Sequence, residues 1–283
     1  MTAKPKQIVI DKDAFMGIGL GNLRDFAKDH FLLLSDTLLY ECVTAKKQIP
    51  QALLRRYEDL IRAGAYYCSM SRKFVEWECR HCQPYPWLLA DRDETENLLN
   101  GRRRIGDLLA PEITDRARDR QYRLAEVMLL RRSKEIADGA SPDVARQFKA
   151  FPADTFSRLK KIQNEMGLNV RDLAVRYYAQ WIADPVRFCP SRQWMTWHDV
   201  YLREALRAEY VYLGQTSSVP SERRAEHDYQ DMEYVLLLSR ADGIITRDKK
   251  MVEPLARAAF PEKDVFSSLE DVPESYRCDW AGV

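Results

Sequence analysis

The sequence has no apolar run near the roughly 20 residues that a helix needs to cross a bilayer. Its longest apolar pieces are short, such as "FLLL" and "VLLL". The N-terminal stretch "MTAKPKQIVI" has neither a long apolar segment nor a small-residue cleavage site, so we predict no signal peptide. The six cysteines form no disulfide framework. We therefore expect a protein of the reducing cytoplasm with no membrane partner.

A strong excess of one charge is also missing. The chain has 44 Lys and Arg against 43 Asp and Glu, so its net charge of +1 gives no global electrostatic case for nucleic-acid binding. Residues 101–134 are an exception, because they contain ten Arg or Lys and only five Asp or Glu. Such a segment is usually a solvated helix face, and binding to a phosphate backbone is the alternative.

Glycine is scarce, and no glycine-rich phosphate loop is present. The stretch "GIGLGNL" lacks the Lys-Ser/Thr of a P-loop and the spacing of a dinucleotide-binding fingerprint. The four histidines fit no Ser/His/Asp or Cys/His pattern. These absences leave the carboxylates as the main candidates for chemistry.

Both ends of the chain alternate between strand and helix signals. Near the N-terminus, "QIVID" and "HFLLLS" predict buried strands, with "GNLRDFAKDH" and "SDTLLYECVTAKK" as helices. Near the C-terminus, "DYQDMEYVLLLSRA" and "KKMVEPLARAAF" predict helices, with "DGIIT" and "KDVFSSL" as strands. This alternation is typical of an α/β domain with a parallel sheet, which we assign to residues 1–49 and 221–283.

The middle of the chain, residues 50–220, has a different character. Most of its segments have helical spacing, separated by capping or breaking residues, and no internal repeat is present. The stretch "AYYCSMSRKFVEWECR" fits a helix or a strand. We predict a predominantly helical insertion or subdomain.

Several acids are predicted to meet at one edge of the sheet. Asp11 ends the first strand and Asp248 follows "GIIT", and functional groups gather at the carboxyl ends of parallel strands. Glu41 lies beside the apolar face of an early helix, and Asp231 heads an apolar stripe. Asp228 lies one turn earlier on the same side, so it competes with Asp231 for the same role.

Carboxylates that converge in this way need a counter-charge. Two unit charges about 4 Å apart repel by roughly 4 kcal/mol at an effective dielectric constant near 20. A divalent cation removes this repulsion, and hard oxygen ligands favour Mg²⁺ or Mn²⁺. The plainer interpretation is that acids fall near strand ends by chance, with Asp248 as a helix N-cap.

These residues resemble the pattern of PIN-domain ribonucleases. The elements are "IVIDKDAF" with Asp11, "LLLSDTLLYEC" with Glu41, and "DMEYVLLLSRADGIITRD" with Asp231, Thr246 and Asp248. The resemblance covers the two chain ends and implies a PIN-like three-layer α/β/α fold with a central parallel sheet. It also implies a Mg²⁺- or Mn²⁺-dependent endoribonuclease that hydrolyses single-stranded or structured RNA.

The resemblance implies a role for each of these residues. Asp11, Glu41, Asp231 and Asp248 would hold the metal and act in catalysis, and Thr246 would support them by hydrogen bonding. The long helical middle is a departure from this compact family, and it would bind substrate, form a homo-oligomer or cover the site. An inhibitor protein is a further expected partner.

Other functions remain open at this point. A PIN-like module that binds RNA or protein without cutting is one alternative. "IVIDKDAF" also resembles the opening of haloacid-dehalogenase-like phosphatases, with Asp11 as nucleophile and Asp13 as acid/base, although Phe15 stands where that family usually has Thr or Val. The stretch "CRHC" has zinc-like spacing, but a structural zinc takes four ligands and more distant cysteines would have to complete it.

Overall fold

A computed structural model of the protein describes residues 4–44, 50–69, 71–86, 88–108, 157, 170–216 and 221–278. In these residues the chain forms one five-stranded sheet and ten α-helices. The strands are β1 (Gln7–Ile10), β2 (Phe31–Ser35), β3 (Tyr66–Cys68), β4 (Gly243–Ile245) and β5 (Asp264–Phe266). Their order is β3-β2-β1-β4-β5, and every neighbouring pair is parallel. The predicted α/β class and parallel sheet are confirmed.

The central strands are buried because their sequences are mostly apolar, with Gln7 and Ser35 as the polar residues of β1 and β2. All four residues of β1 are buried, as are all five of β2. Continuous apolar runs are typical of parallel strands, which helices cover on both faces. In register, Val9 lies between Leu33 of β2 and Ile244 of β4.

The helices connect and cover the sheet. They are α1 (Lys12–Gly17), α2 (Leu20–Asp29), α3 (Asp36–Thr44), α4 (Pro50–Arg62), α5 (Ser71–His81), α6 (Arg92–Leu99), α7 (Val170–Tyr178), α8 (Met195–Thr216), α9 (Glu222–Leu237) and α10 (Val252–Ala259). Two short 3₁₀ helices span Ile105–Leu108 and Glu274–Tyr276. Helix α4 contacts α2, α3 and α6, whereas α9 contacts β1, α3, α5, α8 and α10. These contacts are compatible with a three-layer α/β/α arrangement.

The sheet draws one strand from the region that was expected to be helical. Strand β3 lies within residues 50–220 and comes from the stretch whose sequence fitted either a helix or a strand. It pairs with β2 and forms one edge of the sheet. The sheet therefore extends beyond the two chain ends to which the sequence assigned it.

Much of the predicted helical middle lies outside the described residues. Of the basic segment 101–134, residues 101–108 are described and residues 109–134 lie outside the described part. Within the described part of the middle, α4, α7 and α8 confirm three predicted helices. None of the described helices has the length and apolar character that a bilayer crossing requires.

The strand order creates a crevice between β1 and β4. From β1 the chain adds β2 and then β3 on one side, and it later returns to the other side of β1 as β4. In open parallel sheets, ligands bind outside the carboxyl ends of the strands at the point where the strand order reverses. The residues that follow β1 and β4 are therefore the first place to look for a site.

Candidate functional site

Asp11 lies at this crevice, directly after β1. One carboxylate oxygen accepts a hydrogen bond from the Ala14 amide at 2.7 Å, so Asp11 is the N-cap of α1. The other oxygen accepts a hydrogen bond from the Thr246 hydroxyl, which follows β4. Asp11 is only 2% exposed, and burial raises its pKa to about 7, with smaller contributions from the charges of Asp13 and Asp248. A cation beside this carboxylate would favour its ionised form.

Thr246 links Asp11 to Asp248. Its hydroxyl oxygen accepts a hydrogen bond from the Asp248 amide at 3.0 Å while its hydrogen is donated to Asp11. One Asp248 carboxylate oxygen accepts from the amides of Lys250 and Met251, at 2.7 and 3.0 Å. Asp248 thus caps the turn before α10, as the plainer interpretation of the sequence had it. Its second oxygen accepts no hydrogen bond from the described residues, so it remains available to a ligand.

Glu41 projects from α3 and is 5% exposed. One carboxylate oxygen forms an ion pair with the Lys12 ammonium at 3.1 Å, and the other accepts a hydrogen bond from the Tyr234 hydroxyl at 2.6 Å. Burial and the nearby charge of Glu41 raise the pKa of Tyr234 well above its ordinary value, so the tyrosine stays a donor. Both oxygens of Glu41 therefore have partners within the protein.

The structure separates the roles of Asp228 and Asp231, which the sequence left open. Asp228 is buried and accepts hydrogen bonds from the Tyr210 hydroxyl and the Arg224 guanidinium, both at 2.8 Å. Asp231 is partly exposed as a residue although its carboxyl group is largely removed from water, and no described side chain donates to it. Asp228 is committed to its two partners, whereas the Asp231 carboxylate is open.

The charges of the predicted acids act on one another. Burial raises the pKa of Asp231 well above its ordinary value, and the charges of Glu41, Asp248, Asp228 and Asp11 raise it further, in that order. These five acids therefore form one electrostatic cluster, which consists of Asp11, Glu41, Asp228, Asp231 and Asp248. Among the residues that the structure describes, no three His, Cys, Asp or Glu side chains are arranged so that they could hold a metal ion.

An open cleft of about 470 Å³ is lined by three acids of this cluster, Asp228, Asp231 and Asp248, but not by Asp11 or Glu41. Acidic and basic groups share its lining, which consists of Asp13, Arg224, His227, Asp228, Asp231, Arg247, Asp248, Lys249, Lys250 and Met251. Arg247 is held by a hydrogen bond of 2.8 Å to the Gly17 carbonyl. Lys249 and Lys250 are exposed, and their ammonium groups form no ion pair with the described residues. The cleft therefore offers carboxylates together with unpaired cations.

Sequence reasoning missed three contributors to the site, Lys12, Tyr234 and Arg247. The only sequence signal for Lys12 was its position directly after Asp11. Tyr234 stands on α9 one turn after Asp231, but nothing in its neighbours predicts a bond to a helix 193 residues away. The available signal for Arg247 was its position between Thr246 and Asp248.

The zinc-like stretch does not form a ligand group in the described residues. The Cys79 thiol is buried, which raises its pKa to about 12, whereas a zinc ligand must be a thiolate. The His81 ring nitrogen Nδ1 lies 2.8 Å from the Trp77 carbonyl and stays within its own helix. All six cysteines are free.

In comparisons with protein-family models, with curated proteins and with solved structures, nothing matches this chain.

Proposed function

We propose that this protein is a divalent-metal-dependent endoribonuclease with a PIN-like fold, which uses Mg²⁺ or Mn²⁺ to hydrolyse RNA phosphodiester bonds. The observation that carries the proposal is the electrostatic cluster of Asp11, Asp231 and Asp248 at the β1/β4 crevice. Mutually repelling, desolvated carboxylates bind a divalent cation readily because the ion removes their repulsion. The crevice is also where parallel α/β sheets bind ligands.

Each residue of the cluster has a distinct part in this proposal. Asp11, Asp231 and Asp248 would have to turn towards the ion to contact it, since no three described side chains are arranged around a metal. Glu41 would complete the acidic set, and Asp228 and Asp13 would add negative charge nearby. Thr246 would keep Asp11 oriented through its hydroxyl. The bound ion would supply an activated water and charge stabilisation at phosphorus.

The cations of the cleft support a phosphate-containing substrate. Arg247, Lys249 and Lys250 follow β4 directly, next to Asp248. Lys and Arg side chains bind nucleic-acid backbones mainly through their charge. An ion held by the acids could contact one phosphate of a polymer while the unpaired lysines contact neighbouring phosphates. This arrangement favours RNA over a small neutral substrate.

The proposal includes the cellular setting and the partners. Six free cysteines suit a reducing cytoplasm. An inhibitor protein or a second copy of the chain would restrain the cleft. These parts depend on the assignment as a nuclease.

A second candidate is a PIN-like module that binds RNA or protein without cutting. The ion pair between Lys12 and Glu41 favours it, because a carboxylate already neutralised by an ammonium group does not need a metal. The phosphatase alternative would use Asp11 as nucleophile and Asp13 as acid/base. Asp13 is exposed on α1 and lines the cleft, but both oxygens of Asp11 already accept hydrogen bonds.

The test is cleavage of a labelled single-stranded RNA and a DNA of the same sequence, with Mn²⁺, with Mg²⁺ and with a chelator. We expect cleavage of RNA that the chelator, Asp11→Asn and Asp248→Asn each abolish. Asp25→Asn is the matched control, because Asp25 is exposed on α2 and pairs with Lys28. Absence of cleavage together with an unchanged melting temperature on adding Mn²⁺ would refute the nuclease and leave the binding module.

A further inference from the structure

We propose that Arg224 binds a phosphate of the substrate and, together with the cations that follow β4, holds a nucleic-acid strand across Asp231 and Asp248. The inference rests on the proposed function and names a residue that makes the substrate a strand instead of a single phosphate group. Arg224 stands on α9, whereas the other cations of the cleft stand in the segment after β4. Positive groups thus line the cleft from two separate elements.

The first observation is that Arg224 is held in a fixed direction. Its Nε donates a hydrogen bond of 2.8 Å to one Asp228 oxygen, and the Tyr210 hydroxyl donates one of 2.8 Å to the other. A guanidinium has five N–H donors, of which Nε carries one and the two terminal nitrogens carry four. Those terminal nitrogens donate to no acceptor among the described residues. They are therefore available to a phosphate.

The second observation is the position of this guanidinium. The Arg224 side chain is 54% exposed, whereas that of Asp228 is 3% exposed, so a ligand meets the cation and not the acid that holds it. Arg224, Asp228 and Asp231 follow one another at i, i+4 and i+7, on one face of α9. Since Nε lies beside Asp228, the guanidinium stands about one turn, roughly 5 Å along α9, before Asp231.

The third observation concerns the charges that line the cleft, which cancel when His227 is neutral. The four acids and four bases are Asp13, Asp228, Asp231, Asp248, Arg224, Arg247, Lys249 and Lys250. A polyanion therefore gains little from the net charge of the cleft, and its binding depends on where individual donors point. A planar guanidinium can form two parallel hydrogen bonds to a phosphate, whereas a lysine acts as a point charge.

The experiment measures binding of a labelled single-stranded RNA by fluorescence anisotropy with a chelator present, and the KM and kcat of its cleavage with Mn²⁺. The double variant Arg224→Met/Asp228→Asn removes the guanidinium and keeps the net charge. Arg224→Lys keeps the cation and removes its planar fork. The control is Arg257→Met/Glu253→Gln, because Arg257 pairs with Glu253 through Nε at 3.0 Å, is 47% exposed, and lies with its partner outside the cleft lining. Thermal melting shows whether each protein is folded.

We expect Arg224→Met/Asp228→Asn to bind RNA about tenfold more weakly than the wild type, because a charged, two-point contact is lost. With Mn²⁺, its KM should rise by a larger factor than its kcat falls, since the contact forms when the substrate binds. Arg224→Lys should lie between the two, and the control should match the wild type. If the double variant does not fold, the comparison of Arg224→Lys with the wild type decides. If the wild type binds RNA only with Mn²⁺, KM decides.

Equal RNA affinity and equal KM for the wild type and the folded Arg224 variants overturn this inference while the proposed function stands. An equal loss in the control also overturns it, because the effect would then not belong to the cleft. Weaker binding by the Arg224 variants, with no cleavage by any of the proteins, supports the phosphate contact and overturns the nuclease. Neither binding nor cleavage of RNA by the wild type overturns both.

Discussion

The electrostatic account of the site makes a direct prediction for Asp11→Asn in metal-free protein. Burial raises the pKa of Asp11 from an ordinary 3.8 to about 7. The native protein therefore keeps this proton in a pH range where the unfolded chain has lost it. Because the group binds more protons in the native state, its contribution to the free energy of unfolding falls as pH rises from 4 to 7.

The size of the effect follows from the two pKa values. A tenfold change in a protonation equilibrium is worth about 1.4 kcal/mol, so ionising Asp11 above pH 7 destabilises the fold by about 4 kcal/mol. Asn has no such ionisation. Its amide oxygen can accept from Ala14, but its NH₂ group replaces the oxygen that accepts from Thr246, a loss of about 1–2 kcal/mol at every pH. We expect Asp11→Asn to be less stable than the wild type at pH 4 and more stable by about 2–3 kcal/mol at pH 8.

The assay is urea unfolding from pH 4 to pH 8 in the presence of a chelator. Asp25→Asn is the control, since Asp25 is exposed, and its difference from the wild type should not change sign in this range. A difference between Asp11→Asn and the wild type that stays constant from pH 4 to pH 8 would refute the reasoning, because it would mean that Asp11 ionises alike in both states.

Four further predictions test other buried or partly buried polar groups. Asp228→Asn should lower the free energy of unfolding by about 1–3 kcal/mol, because Tyr210 and Arg224 lose a charged acceptor. Asp231→Asn should instead stabilise the metal-free protein and abolish its thermal stabilisation by Mn²⁺. Melting curves of both variants with and without Mn²⁺ measure these two effects. Burial lowers the pKa of His198 to about 4, and its buried Nδ1 atom has no partner among the described residues. The unfolded chain then takes up a proton first as pH falls below 6.5, and the protein should lose about 3 kcal/mol of stability between pH 6.5 and 4. Urea unfolding should find this loss much reduced in His198→Gln, and an equal loss in both proteins would contradict the assignment. Glu78→Ala should lower the free energy of unfolding by about 3–5 kcal/mol, since the fully buried carboxylate accepts from the amides of Tyr85, Met195 and Thr196. Chemical denaturation measures this loss, and a change below about 1 kcal/mol would show that water replaces these bonds.

The sequence predicted the central part of the fold because that part depends on short-range patterns. Strands β1, β2 and β4 are apolar runs buried on both sides, and an acid or a polar residue ends each of them. Once the sheet is taken as parallel, the positions of Asp11 and Asp248 at one edge follow without further information. The helix that carries Asp231 was predictable for a similar reason, since its apolar stripe recurs with helical spacing.

Other elements were not predictable, because their signals are short or depend on distant contacts. Strand β3 has three residues, "YYC", and the helical spacing of the next segment masks it. Helix α1 has six residues, too few to establish a period. The ion pair of Lys12 with Glu41 joins residues 29 apart on two helices, and only their packing creates it. The burial of Glu78 was not predictable for the same reason, because its four hydrogen-bonding partners lie in other segments of the chain.

The position of β4 beside β1 has a consequence for synthesis of the protein. Thr246 and Asp11 are 235 residues apart, yet they share a hydrogen bond at the crevice. While the chain emerges from the ribosome, β1 can pair with β2 early, but its other edge stays open until the last part of the chain arrives. An open apolar edge invites pairing with other chains, so truncated products should aggregate. Under the proposed function, the site also stays incomplete until β4 and the residues after it are added, so a shorter nascent chain could not cleave RNA.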